Sequence, residues 1–360
     1  MSEVALRAVQ EPAEDPVYEG LRGEARKQAI VELIGEPDRS ADVQAFVDAL
    51  RSETARYWTR YIEPLIDQHW PEVRSTPFYT KFKIGAQKVY APAPYTVAVL
   101  SRRRPFALRF LLGACRLLRL PGAAIAWGMK LLLPFYTRWF MRVENRRIAL
   151  MAAFIASADE AFDHHLNHVP ADERSGLLRR ILEGRAEPPT PSLRLVQALR
   201  RAMDEGCDAD ELAEIKTATE GCCRWGEAEV KRALREPDPE GLCHRGAGIR
   251  GGIDGLAWTA RGYVSDAELH WMYDVSYFVQ MVDDWVDLEK DLDEDVWTPV
   301  ADGTWTLDTV RQWFDRTTET VVGIARDNGE DYPPYLRLVG EGYRHQVRDL
   351  LQDMVKGIAD

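Results

Sequence analysis

Asp283, Asp284, Asp287 and Asp291 crowd into one short stretch, Gln280-Met281-Val282-Asp283-Asp284-Trp285-Val286-Asp287-Leu288-Glu289-Lys290-Asp291. At about 100° per residue, helical positions four apart share a face, so a helix here stacks Asp283, Asp287 and Asp291 in one stripe. Carboxylates at that spacing repel by a few tenths of a kcal/mol per exposed pair, and by more where burial lowers the dielectric. A solvated face absorbs that cost. The preceding run, however, is apolar and aromatic (Trp271, Met272, Tyr273, Val275, Tyr277, Phe278, Val279) and holds no Gly or Pro, so the acids continue a face that is short of water at one end. A divalent cation relieves the repulsion. Hard oxygen ligands suit Mg²⁺, which also brings substrate phosphates with it.

A second acidic string, Asp159-Glu160-Ala161-Phe162-Asp163, ends another long apolar segment and again sets two aspartates one turn apart. Two such helix ends packed in a bundle point their carboxylates at one another across a cavity. Other metal chemistries lack their residues: there is no pair of E-x-x-H motifs for a di-iron bundle and no H-E-x-x-H for a zinc hydrolase. No G-x-S-x-G elbow or P-loop occurs either. Facing carboxylates with bound Mg²⁺ suit the ionisation of an allylic diphosphate, because the metal clamps the diphosphate and neutralises it as a leaving group. The carbocation left behind needs a dry pocket and aromatic faces, which stabilise positive charge by up to roughly 2 kcal/mol when desolvated. Phe154, Phe162, Trp225, Trp258, Tyr273 and Phe278 lie on or beside the segments concerned, and two or three of them are expected to line the pocket, with Gln280 and Gly248 nearby.

The elements that must hold these residues read as helices throughout. Short amphipathic helices are expected over 24–34 and 41–51, and Ser52 is read as opening a longer one that Pro64 kinks or ends. Residues 76–94, punctuated by Pro92 and Pro94, read as irregular. Further helices are expected over 145–166, 177–182, 192–204, and from an Asp208 cap to about 234. Ser265, with Asp266 and Glu268 in the first turn, caps the helix that carries the main acidic stretch. Residues 293–308 read as polar loop, and 309–328 and 335–358 as the last helices. The Gly-rich stretch 243–252 has two readings: a plain loop, or a place where backbone must approach something closely. Almost no period-two alternation occurs, so the fold class is all-α: one helical bundle (24–360) around a central apolar cavity, after a loose tail (1–23).

The composition narrows the partners. A formal charge of −12 argues against nonspecific binding to nucleic acid. Five cysteines without C-x-x-C spacing suggest buried thiols in a reducing compartment, and no run of 18 apolar residues occurs, so a cytoplasmic protein is expected. Against this background the segment 101–147 inverts the charge: eleven Lys or Arg face one acid, Glu144, in a Leu-, Phe- and Trp-rich sequence with breaks expected near Pro121-Gly122 and Pro134. It reads either as core-facing helices with snorkelling arginines or as a peripheral contact with anionic lipid. Oligomeric state is not legible.

The two acidic motifs resemble those of the class I isoprenoid synthase superfamily. The stretch Asp283 to Asp291 looks like the second metal motif of class I terpene synthases, [ND]-D-x-x-[ST]-x-x-x-E, with aspartate at both the Ser/Thr and Glu positions. That all-aspartate form is most similar to the bacterial tetraprenyl-β-curcumene synthase family, related to squalene and phytoene synthases. Asp159 to Asp163 looks like the first metal motif. The resemblance, which covers about 142–295, implies a terpenoid synthase fold and a lyase reaction in which a linear prenyl diphosphate yields a terpene and pyrophosphate. It implies metal ligands at Asp159, Asp163, Asp283, Asp287 and Asp291, with three Mg²⁺ ions bound alongside the diphosphate. Glu160 and Asp284 would stand behind those ligands, and Arg224, Lys231 and Arg344 are candidate diphosphate contacts. The alternatives are a head-to-head condensing enzyme, a chain elongator, or a noncatalytic helical protein with solvated acidic stripes. Chain elongators follow their first motif with an arginine pair, whereas Asp163 here precedes His164 and His165.

Overall fold

The computed structural model describes residues 23–103, 106–139, 141–166, 168–233, 247–293, 298–301 and 303–358. The tail expected over 1–23 lies outside them but for Gly23, which opens the first helix, and so does the start of the Gly-rich stretch, 243–246. Every regular element among the described residues is helical, as the absence of β-type patterning requires.

The helices are α1 (Gly23–Leu33), α2 (Ala41–Tyr57), α3 (Glu63–His69), α4 (Pro77–Ile84), α5 (Pro92–Leu100), α6 (Phe106–Leu117), α7 (Gly122–Trp139), α8 (Arg142–Glu160), α9 (Ala171–Leu182), α10 (Pro191–Asp204), α11 (Ala209–Ala233), α12 (Ala247–Thr259), α13 (Asp266–Asp293), α14 (Leu307–Asp327) and α15 (Pro333–Asp353). Their buried side chains merge into one continuous core, the mark of a single domain.

The hub of that core is α8. From Leu150 to Ala158 every side chain is buried, as expected of a helix that is apolar on all sides. Its alanines let neighbours come close: Gly85, in the π turn Gly85–Tyr90 between α4 and α5, would set a Cβ 3.8 Å from Ala156. Helices α10 and α12 pack along α8, and α12 also packs on α11 and α13. Around this centre α15 is tied to the N-terminal part of the chain. Arg348 donates to the Gly35 carbonyl and pairs with Glu36, Arg51 pairs with Asp349, and Lys88 pairs with Asp353.

Several local expectations are corrected. Ser52 opens nothing: it lies inside α2, where its hydroxyl donates to the Ala49 carbonyl at 2.9 Å. Pro64 follows a π turn, Trp58–Ile62, and sits at the start of α3; the wide turn absorbs a ring that would otherwise clash with the carbonyl four residues back. The stretch 76–94 is helical, with Pro77 and Pro92 each in the first turn of a helix, where the missing N–H leaves no partner unsatisfied. Pro134 does not break α7, because Leu133, Tyr136 and Thr137 around it are buried and hold the helix. The Gly-rich stretch is helical from Ala247 onward, so the plain-loop reading does not hold there, and a close approach falls just beyond it, at Gly255. A Cβ on Gly255 would sit 3.0 Å from Met151 Sδ, so the glycine permits the α8–α12 contact.

Asp208 caps as its sequence indicates, whereas at Ser265 the bond runs the other way, with Glu268 reaching back to the start of the helix. The Glu211 N–H donates to Asp208 Oδ1 at 2.9 Å, and the Ser265 N–H donates to Glu268 Oε2 at 3.0 Å. No helix among the described residues is long and apolar enough to cross a membrane. Cys115 and Cys207 are free thiols, the first of them buried.

Candidate functional site

The main acidic stretch occupies the second half of α13. One side of this helix is anchored by tryptophans: Trp271 Nε1 donates to the Thr317 carbonyl of α14 and Trp285 Nε1 to the Trp305 carbonyl, each at 3.0 Å. With that side fixed, the rotation of the four aspartates follows. Asp283 is exposed, Asp287 and Asp291 are half-buried, and Asp284 is buried. Gln280 Nε2 donates to Asp284 Oδ1 at 2.8 Å, so Gln280 positions a carboxylate.

The Asp287 carboxyl is held above its ordinary range. Burial raises it, against the pull of Lys290, Lys81, Lys27 and Arg26. Two of those cations come from α1, which lies against α13: buried Arg26 donates to the Val286 carbonyl at 3.3 Å and approaches Glu289 at 3.6 Å. Lys81 comes from α4.

The first acidic string ends α8 and runs into a π turn, Ala161–His165, a wide turn frequent at functional sites. Asp159 and Glu160 are half-buried. The Asp163 backbone belongs to the π turn, but its side chain lies outside the described set. Glu160 Oε2 and Oε1 lie 3.8 Å from His164 Nε2 and His165 Nε2 respectively. Burial, assisted by His164, lowers the affinity of His165 for a proton. The edge of His165 meets Trp70, with ring centres 5.4 Å apart, and Trp70 stacks on Phe78 at 5.7 Å.

Helix α4 therefore joins the two motifs. Phe78, through Trp70, reaches the π turn that holds Asp163, and Lys81, one turn along, acts on Asp287. Helices α8 and α13 share no close-packed seam of their own, while α12 is packed against both. Lys81, Lys27 and Trp70 were not legible as site residues, because 76–94 read as irregular and nothing in the pattern assigned α1 to the face of α13.

Other expected site residues sit elsewhere. Phe154 and Phe278 are 0% exposed and Phe162 is 4% exposed, so the first two border no space that water can enter and belong to the packed core. The Tyr273 hydroxyl donates to the Asp254 carboxylate, a clasp between α13 and α12. Arg344 donates to the Ile34 carbonyl at 2.9 Å and lies over the Phe314 ring, so it closes the C-terminal end of α1 and is not placed as a diphosphate contact. Arg224 is exposed on α11; Lys231 lies on the same helix and Gly248 on α12, with their surroundings outside the described set. A shallow groove among Leu50, Arg51, Gln87, Lys88, Tyr95 and Gln346 touches none of the residues of the two acidic motifs.

The donor set consists of hard carboxylate oxygens, the chemistry that Mg²⁺ prefers. Among the described residues no group of three or more His, Cys, Asp or Glu side chains stands close enough to hold a metal by itself. Mg²⁺ is commonly held by one or two carboxylates plus substrate phosphates, so the arrangement fits a metal recruited together with a diphosphate and does not fit a resident, protein-caged ion. Comparison with protein-family models, with curated proteins and with solved structures yields no match to this chain.

Proposed function

We propose that the chain is a Mg²⁺-dependent class I terpene synthase that ionises a linear prenyl diphosphate and cyclises the resulting cation. One observation carries the reading: two aspartate-bearing helix ends, more than a hundred residues apart in sequence, both neighbour α4, and one of them holds a carboxyl that burial has pushed upward. A carboxylate kept partly dry is a receptive ligand for a divalent cation.

Asp159 and Asp163 would hold metal from the α8 end, and Asp283, Asp287 and Asp291 from α13. Mg²⁺, when bound, supplies neutralisation of the departing diphosphate. Asp284, held by Gln280, and Glu160, flanked by two histidines, would steady the ligands from behind. Lys81 joins Arg224 and Lys231 as a candidate cation for diphosphate oxygens. The substrate C–O bond breaks with both electrons leaving on oxygen. A chain double bond then closes on the allylic cation, and loss of a proton gives a neutral hydrocarbon. Chain elongation is disfavoured, because His164 and His165 stand where elongators carry arginines. A prenyl chain and its product both partition into membranes, so peripheral contact through 101–147 is compatible with the same activity.

Incubation with prenyl diphosphates of increasing length and Mg²⁺, followed by pyrophosphate release and gas chromatography–mass spectrometry, tests the reading. A cyclic hydrocarbon with the carbon count of one substrate is expected; twice that count identifies a head-to-head condensing enzyme. Asp283→Ala should lower turnover more than about a hundredfold, beyond what outer partners of a metal site contribute. Full turnover by that variant removes the metal assignment.

A further inference from the structure

We propose that the α6–α7 hairpin is a docking face for an anionic lipid bilayer. Of the eleven large hydrophobic side chains exposed among the described residues, nine fall between Phe106 and Val143. They are ordered. Trp127, Leu131, Phe135 and Trp139 recur every four residues along α7, which makes one stripe about 18 Å long at 1.5 Å per residue. Phe106, Phe110 and Leu117 make a second stripe on α6, with Leu117 83% and Phe106 80% exposed. The opposite face of each helix is in the core: Leu108, Leu112 and Cys115 on α6, and Ile125, Met129, Leu133 and Tyr136 on α7.

The helices are held close, since a Cβ on Gly128 would fall 2.7 Å from the Leu111 side chain, so the stripes belong to one surface. A surface this apolar marks an interaction site, because soluble monomers rarely expose contiguous apolar patches of more than a few hundred Å².

Charge selects the occupant. Arg109, Arg116, Arg119, Lys130, Arg138 and Arg142 are exposed on or beside the same helices, and Glu144 is the one acid in 101–147. The turn itself spends conformational strain on a charge: Arg119 takes the left-handed conformation, φ 51°, where glycine is usual, between exposed Leu118 and half-buried Leu120. A second copy meeting this face in a twofold contact would set a basic rim against a basic rim. An anionic bilayer matches both components: tryptophans settle at the headgroup level, other apolar side chains enter the acyl boundary, and the cations meet lipid phosphates and carboxylates. The inference does not depend on the synthase reading, and its test reads binding alone.

The intact protein is floated with vesicles of phosphatidylcholine, with and without phosphatidylserine. Flotation is expected with the anionic vesicles, falling steeply as salt is raised. Neutralising Lys130, Arg138 and Arg142 to Gln should weaken anionic-vesicle binding about a hundredfold. Trp127→Glu with Phe135→Glu should abolish it while the far-ultraviolet circular dichroism stays unchanged, since both positions are more than half exposed. Should that pair misfold, Trp127→Ser alone and quenching of tryptophan fluorescence by brominated lipid give a second reading. The proposal is overturned if the intact protein stays unbound, if the apolar variants bind undiminished, or if analytical ultracentrifugation shows a dimer that Trp127→Glu dissociates.

Discussion

Asp287 carries a conflict that the rest of the site must resolve. Its neighbours Lys290, Lys81, Lys27 and Arg26 favour the carboxylate, yet burial outweighs them and the carboxyl stays above its ordinary range. For an acid raised in this way, the folded chain retains its proton after the unfolded chain has lost it. This group's share of stability is therefore intact below the ordinary carboxylate value of 3.8 and is lost as pH rises from there through the folded value. Asp287→Asn removes that liability. The variant is expected to unfold at higher urea than the wild type at pH 7, with the difference closing as pH falls below 3.8, while activity with Mg²⁺ is lost. A variant less stable than wild type at pH 7 contradicts the account of Asp287 as a destabilised ligand. The i, i+4 spacing of the aspartates was legible as chemistry. Their unequal burial was not, because it depends on where Trp271 and Trp285 fasten the helix.

Among the elements, α12 shows how glycine serves a helix it would otherwise weaken. Gly252 and Gly255 are one turn apart, and both face α8. They are not equivalent: a Cβ on Gly252 would meet Ile155 Cδ1 at 3.9 Å, an ordinary contact, while one on Gly255 meets Met151 Sδ at 3.0 Å and Ala218 Cβ at 3.5 Å. Gly252→Ala should therefore stabilise by up to about 1 kcal/mol through helix propensity. Gly255→Val should destabilise by about 1–3 kcal/mol through overpacking against Met151. Thermal unfolding of the two variants checks both signs. The glycines up to Gly252 were legible as a loop or a close approach; that the tight contact falls at Gly255, and that its partner surface is α8, are tertiary facts. The hairpin of α6 and α7 teaches the complementary lesson. Its hydrophobic residues allowed both a core and a lipid-contact reading, because periodicity reports that a helix has an apolar face, not which side the molecule covers.

At the scale of the whole molecule, α1 is fastened to α13. Arg26, 2% exposed, crosses from α1 to the Val286 carbonyl and Glu289, some 260 residues away in sequence. Arg26→Ala removes the side-chain tie between α1 and α13 and the packing of a buried guanidinium, and should reduce stability by about 2–3 kcal/mol. Arg26→Met, which keeps the apolar volume, should restore a good part of it, because desolvating the guanidinium carries its own penalty. Urea unfolding of the pair distinguishes the two contributions; equal loss in both variants would assign the effect to the charge alone. The charge is also divided at this scale, with one basic, apolar surface on a chain whose net charge is −12.

The all-helical class, the limits of several helices (α1, α10, α11, α13 and α14 among them), the cap at Asp208 and the two acidic motifs were determined by sequence alone, since each rests on spacing along the chain and on local hydrogen bonding. The tertiary structure alone decided that α8 and not α13 is the buried hub, that α4 joins the two motifs, that Arg344 serves α1, and that an aromatic stripe on α7 faces outward. These are choices about which apolar surfaces pair, and periodicity leaves them open because many pairings bury a similar area. The packing of distant segments selects one.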